Sequence, residues 1–182
     1  RLRLFPKITL SFLPPVKFDP PPGLRGAALR VHQADKLYDV MTDMVFRTSN
    51  IDRTLFQALL DARATHGRGH KVLEDIQRNP ASYDRLVMGS FILGRRIAAL
   101  TPGEKNVAVL LPNANGCFVT LFGLHAFGRV PAMLNFSTGA VNMGAACAAA
   151  QVSTIVTSRR FIEAGSMEED VKLLSENRKI IY

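Results

Sequence analysis

Tryptophan is absent from the 182 residues, tyrosine occurs 3 times and cysteine only twice. Two cysteines, Cys117 and Cys147, exclude a disulfide framework and imply a reducing compartment. Each sits among apolar neighbours (Phe118 and Val119; Ala146 and Ala148), where a small thiol reads as core packing rather than as a nucleophile. A membrane-spanning helix needs about 20 largely apolar residues. The best stretch, Gly139 to Val156, is Ala-rich and interrupted by Asn142 and Gln151, so no span is expected. Residues Arg1 to Pro6 lead into no apolar core with a small-residue cleavage site, so no signal peptide is expected. Neither Gly-x4-Gly-Lys-[Ser/Thr] nor Gly-x-Gly-x-x-Gly occurs, and Ser90 lacks the Gly-x-Ser-x-Gly elbow, which removes the recognised phosphate cradles and the commonest serine nucleophile.

What is present is the composition of a globular domain, 47% hydrophobic and 21% charged. Half of the net charge of +8 falls in the first 50 residues, with 8 basic against 4 acidic side chains there, so per residue the excess is concentrated at the N-terminus. The tightest basic pairs, Arg95–Arg96 and Arg159–Arg160, read as solvated helix ends without interleaved aromatics, so nucleic acid is not an expected partner.

Ile8 to Leu13 alternates as an edge strand would, and Pro14-Pro15 and Pro20-Pro21-Pro22-Gly23 make a stiff connector after it. From Leu24 to Arg47, Ala27, Val31, Ala34, Leu37, Met41 and Val45 recur at helical steps. Thr48-Ser49-Asn50 ends that helix, and Asn50 or Asp52 is placed to cap a second one running to Gly67. A domain boundary is therefore expected near residue 50, separating 1–50 from 51–182. Lys71 to Ile76 is a short strand candidate, and a helix follows from Ser82 to about Leu100 with Asp84 in its first turn.

From there apolar runs alternate with helical patterns: strands at Asn106–Leu111, Val130–Leu134, Thr154–Thr157 and Lys179–Tyr182, with helices at Ala114–Phe127, Gly139–Ala150 and Met167–Glu176. Such β-α-β-α-β-α-β order predicts an α/β fold, a partial doubly wound parallel sheet, preceded by the long helix and the short strand tail. Phe118, Leu121, Phe122 and Leu124 or Phe127 are expected to pack onto that sheet. The chain starts on Arg inside a strand-like pattern and finishes on a strand, so we expect a piece of something longer, with an open sheet edge and a tendency to self-associate.

Two constellations offer chemistry. His70 and Asp75 have the His-x4-Asp spacing of glycerolipid acyltransferases, where a carboxylate orients an imidazole as general base. If 71–76 is a strand, however, the two residues face opposite sides. His66-x3-His70 has helical metal spacing, but Gly67 and Gly69 intervene and no Cys or carboxylate cluster supports it, so no metal site is expected. Pro112-Asn-Ala-Asn-Gly116 and Asn135-Phe-Ser-Thr-Gly139 follow successive strands at the carboxyl edge, where open α/β sheets bind ligands. Asn113, Asn135 and Phe136 are thus candidate substrate-binding residues, with helix capping the plainer role for Asn113.

Ser82-Tyr-Asp-Arg-Leu86, Val107-Ala-Val-Leu-Leu-Pro-Asn113 and Leu124-His-Ala-Phe-Gly-Arg-Val-Pro-Ala-Met-Leu-Asn135 together resemble, in order and spacing, the opening of the adenylate-forming acyl-CoA and acyl-carrier-protein synthetases. Phe127-Gly128-Arg129 replaces that family's usual Ala-Gly-Gly turn. Lys7 to Asp19 and Asp43 to Ser49 resemble the join in bacterial bifunctional proteins that fuse a lysophospholipid acyltransferase of the 2-acylglycerophosphoethanolamine type to an acyl-acyl-carrier-protein synthetase. The resemblance implies that residues 1–50 are the acyltransferase tail and junction helix, and that 51–182 open the AMP-binding domain. It implies ATP and Mg²⁺ as cofactors of the whole protein. Its implied partners are a fatty acid, acyl carrier protein or CoA, and a lysophospholipid, at a cytoplasmic location reaching the inner-membrane surface. The ATP loop and catalytic lysine lie outside this span, so no catalytic residue is expected within it. Two alternatives stand beside this reading: a flavodoxin-like binding module without catalysis, and an acyltransferase using His70 and Asp75.

Overall fold

The computed structural model describes residues 10–182. It divides into two units, one ending at Arg53 and one comprising Thr54–Tyr182. In the first unit residues 10–20 carry no regular structure; the strand expected at Ile8–Leu13 is absent over Leu10–Leu13, and Ile8 and Thr9 lie outside the described residues. Without a hydrogen-bonded partner, alternation alone does not make a strand. Helix α1, Gly26–Thr48, follows as the periodicity predicts, and none of its residues is buried.

The second unit opens with α2, Leu55–His66. Its cap is Thr54 rather than Asn50 or Asp52: the Thr54 hydroxyl accepts from the Gln57 amide at 3.1 Å. Gly67, at φ +97°, ends the helix in a conformation that favours glycine. Strand β1, Lys71–Glu74, pairs antiparallel with β2, Pro80–Ser82, a hairpin partner ahead of the helix expected from Ser82. Ser82 then caps α3, Tyr83–Leu100. Asp84 in its first turn meets more than the helix dipole. Its carboxylate accepts from Arg63 Nε of α2 at 2.6 Å and lies 3.3 Å from Arg68 Nε. The Arg63 hydrogen bond holds it below the usual carboxylate range.

The main sheet consists of β3 (Asn106–Leu110), β4 (Val130–Met133), β5 (Thr154–Thr157) and β6 (Lys179–Ile181), all parallel, in the order β4-β3-β5-β6. The connecting helices are α4 (Asn115–Ala126), α5 (Gly139–Ala149), α6 (Arg159–Ala164) and α7 (Glu168–Ser175). The doubly wound parallel sheet is as expected, with β3 central. The alternation of strand side chains sorts the core into two layers. Val107, Val109 and Val156 pack with Ile97 of α3 and Leu124 of α4. Ala108, Leu110 and Ile155 pack on the other face with Met143, Cys147, Ile162 and Val171. Every residue of β5 is buried, and β3 is buried from Val107 onward. Strand β4 is an edge, and the two ends of its sequence are exposed. Its Val130 and Leu134 amides point inward, donating to Lys105 and Val109 carbonyls. Pro131 therefore turns its missing donor outward, where prolines are tolerated.

Of the α4 residues expected on the sheet only Leu124 joins its core. Phe122 and Val119 turn instead toward Phe56, Leu59, Tyr83 and Leu86 beneath α2. Phe127 stands edge-on to Phe91 at 6.3 Å, and Phe118 is exposed. The reason is a backbone-to-backbone crossing of α3 and α4. A Cβ on Gly94 would stand 2.8 Å from the Gly123 carbonyl carbon and closer still to its oxygen; one on Gly123 would stand 2.8 Å from the Ser90 carbonyl oxygen. The two helices touch so closely that α4 presents one narrow stripe to the sheet and a second to α2.

That crossing gives a direct test. Gly94→Ala or Gly123→Ala should lower stability in urea unfolding by about 2 kcal/mol, because overpacking outweighs the roughly 1 kcal/mol that Gly→Ala contributes inside a helix. Gly144→Ala in α5, where the new Cβ meets only Leu174 Cδ2 at 3.9 Å, should leave stability unchanged or raise it by up to about 1 kcal/mol.

Candidate functional site

Connections leaving the carboxyl ends of β3 and β5 diverge. After β3 the chain enters α4, which packs on the Val107 and Val109 face; after the neighbouring β5 it enters α6, whose Ile162 packs on the Ala108 and Leu110 face. Adjacent strands whose loops part to opposite faces leave a crevice between them, the place where open α/β sheets bind ligands. A cavity of about 480 Å³ occupies that position. Leu111, Pro112, Asn113 and Ala114 form its β3 side, and Ser158, Arg160, Phe161 and Ala164 form its β5 side. Cys117 and Gly116 of α4 lie along it, and Asp75, Ile76 and Gln77 from the tip of the β1–β2 hairpin complete the wall.

The walls are mainly hydrocarbon, with a few polar groups at the margin. Arg160 is exposed and has no ion-pair partner among the described residues. At the start of α4 the cap position is Ala114, which offers no side-chain acceptor to the first-turn amides. A helix start without an acceptor and a cation on the facing wall both favour an anionic group, and the apolar walls favour a hydrocarbon body. Burial pushes the Cys117 thiol up, which disfavours its thiolate, the form a catalytic nucleophile needs. Cys147 is fully buried in the α5 layer, and its thiol is pushed up by burial against the smaller opposing pull of Arg178.

The carboxylate of Asp75 closes the hairpin. Its Oδ1 accepts from the amides of Asn79 at 2.9 Å and Gln77 at 3.0 Å, and its Oδ2 accepts from Asn115 Nδ2 at 3.5 Å. The Asn79 amide is the main reason its carboxyl lies below the ordinary range. His70 stands at the other end of β1, its ring 5.9 Å from His66 and 6.1 Å from Tyr83, centre to centre. At about 3.3 Å per extended residue the five steps between His70 and Asp75 amount to roughly 16 Å. They form no dyad. The carboxylate that would orient the imidazole is engaged by main-chain amides, and the imidazole stacks elsewhere. No group of three His, Cys, Asp or Glu side chains able to hold a metal occurs among the described residues.

Of the three candidate binding residues, Asn113 lines the crevice but does not cap α4. Asn135 lies outside it and caps the short 3₁₀ turn Phe136–Thr138, accepting at Oδ1 from the Ser137 amide at 3.1 Å. Phe136 is one step removed, edge-on to Phe161 at 5.3 Å. The α6 residues Arg160 and Phe161 were missed because the sequence reading ran from β5 directly to the helix at Met167. Ser158 before Phe161-Ile162 was the available signal, a cap-type residue ahead of an apolar pair at helical spacing.

No family model matches the chain. Among solved structures it is similar to o-succinylbenzoate CoA synthetase from Bacillus subtilis in complex with its acyl-adenylate intermediate, with a TM-score of 0.58, 15% identity and 71% of this chain covered. A benzoate CoA ligase from Burkholderia xenovorans aligns with a TM-score of 0.57 and 14% identity over 70% of this chain. The N-terminal subdomain of NpsA from Klebsiella oxytoca, bound to 3-hydroxybenzoyl-AMSN, aligns with a TM-score of 0.51 and 13% identity over 58%. The matched region spans 31%, 25% and 26% of those three chains respectively, about a quarter to a third of their length. Over the matched part of the chain the fold is similar to that of the N-terminal subdomain of adenylate-forming ligases.

Asp75 yields a pH-dependent test. A carboxyl held below its unfolded value stabilises the native state at pH above about 4, and that contribution is lost as pH falls through the lowered value. Asp75→Asn should therefore lower the urea midpoint at pH 7, and the gap to the native protein should narrow by pH 3. An equal gap at both pH values would show that the carboxylate charge plays no part.

Proposed function

We propose that the chain is part of an ATP-dependent, AMP-forming ligase that activates a fatty acid for transfer to a phosphopantetheine thiol, of acyl carrier protein or of CoA. The observation that carries this reading is the crevice at the β3/β5 divergence, apolar in its walls and cationic at its margin, in a sheet whose fold is that of adenylate-forming ligases. The order of the segments around Ser82–Leu86, Val107–Asn113 and Leu124–Asn135 supports the fatty-acid branch. The segments Lys7 to Asp19 and Asp43 to Ser49 support the further reading of a junction to a lysophospholipid acyltransferase, through their likeness to the join in bifunctional proteins.

The residues present do not fit Mg²⁺-ATP. The sequence holds no recognised Gly-rich phosphate loop, and among the described residues no carboxylate cluster is available for the metal. The nucleotide would be held elsewhere in the whole protein, and no phosphoryl chemistry is assigned to these side chains. Their part is to bind and orient the acid: Leu111, Pro112, Phe161 and Ala164 exclude water from its hydrocarbon body, while Arg160 offers a charge to its anionic end.

ATP–pyrophosphate exchange tests the proposal. The protein encoded by the longest reading frame containing this sequence should catalyse exchange dependent on a fatty acid such as decanoate, and the 182-residue chain alone should show none. Robust exchange by the short chain, or none by the long one with any fatty acid, would overturn it.

A further inference from the structure

The wall of the crevice formed by Asp75, Ile76 and Gln77 belongs to the hairpin tip, residues 75–79, which is built differently from the rest. Its internal bonds close on themselves: Asp75 Oδ1 accepts from the Gln77 and Asn79 amides, and the Arg78 amide donates to the Asp75 carbonyl at 2.9 Å, with Arg78 at φ +57°. The tip is thus a pre-shaped unit. Ile76, although it borders the crevice, is 85% exposed, so it gains little from packing there. Among the described residues, one side chain ties the tip to the body by hydrogen bonds. Asn115, the first residue of α4, donates from Nδ2 to the Asn79 carbonyl at 2.8 Å and to Asp75 Oδ2 at 3.5 Å. Its Oδ1 is buried without a hydrogen-bond partner among the described residues, so these donor bonds alone fix the orientation of the amide. Two residues further along α4, Cys117 lies within the crevice.

We propose that the hairpin tip is a strap across the crevice and that Asn115 is its latch, a positioning residue that sets how wide the mouth stands between Ile76 and Gln77 on one side and Pro112 to Ala114 on the other. A strap closed on itself swings without losing its own bonds, so the Asn115 contacts decide the balance between shut and open. Admission of any ligand to the crevice is then governed from the start of α4. This inference does not depend on the ligase reading.

The two cysteines supply the assay. Alkylation of Cys117 by iodoacetamide, followed against pH to obtain the rate constant of the thiolate, reports access to the crevice. Cys147, fully buried in another layer, reports loss of the fold. Asn115→Ala should raise the Cys117 constant about five- to ten-fold, the shift expected when a side-chain hydrogen-bonded tie of this kind is removed, with Cys147 unmodified. Asn79→Ala keeps the main-chain carbonyl that Asn115 uses and should leave the constant within about two-fold of native. An unchanged Cys117 constant in Asn115→Ala, or an equal rise in Asn79→Ala, would overturn the proposal. Should Asn115→Ala also expose Cys147, Asn115→Ser takes its place, and the same two results decide.

Discussion

The backbone-to-backbone crossing of α3 and α4 at Gly94 and Gly123 is the constraint on which the rest of the second unit depends. Helices ordinarily pack at 8–10 Å because side chains keep their axes apart. Here the main chains themselves meet, since a methyl group on either glycine would fall within 3 Å of the opposite backbone. Drawn together in this way, α3 and α4 act as one slab over the Val107, Val109 and Val156 face, with Ile97 and Leu124 as the contact side chains. The stripe of α4 left over, Val119 and Phe122, forms the floor on which α2 rests.

The position of the crevice follows from the same slab. With α4 fixed close to α3, its first turn stands at the end of β3, beside the divergence toward α6. The hairpin then closes the third side, anchored to that first turn by Asn115. Polar staples hold the opposite end of the sheet: Asn106 Nδ2 donates to the Ala150 carbonyl at 2.7 Å, the Thr154 hydroxyl to Glu104 Oε1 at 2.8 Å, and Arg129 Nη2 to the Thr101 carbonyl at 3.0 Å. The amino end of the sheet is thereby fixed by hydrogen bonds, and the carboxyl end is left to shape a cavity.

Much of this was legible in the residues. The continuous apolar runs at 106–110 and 154–157 marked strands covered on both faces, and Gly128, at φ +67°, marked the end of α4. What stayed hidden was contact between segments distant in sequence. Nothing local distinguishes Gly94 and Gly123 from tolerated helix glycines; only the approach of another backbone explains them. Asp75 carries the spacing of a catalytic carboxylate, yet its geometry is that of a turn residue collecting main-chain amides, a role that three-residue windows do not separate from catalysis. Arg160 lies in a helix of 6 residues, too short for a periodic pattern, and Ser158 ahead of it marks only where the helix starts.

Pro131 has a further consequence. Because inward-facing amides alternate with outward-facing ones along β4, and the proline occupies an outward position, the free margin of the sheet beyond β4 lacks one donor in mid-strand. A strand from another molecule docking there would leave a carbonyl without its complement, a penalty of the kind by which natural sheets resist templated growth. At β6 the alternate outward position is Ile180, which keeps its N–H. Of these two strands, β4 is thus the one whose outer margin is blunted against accretion.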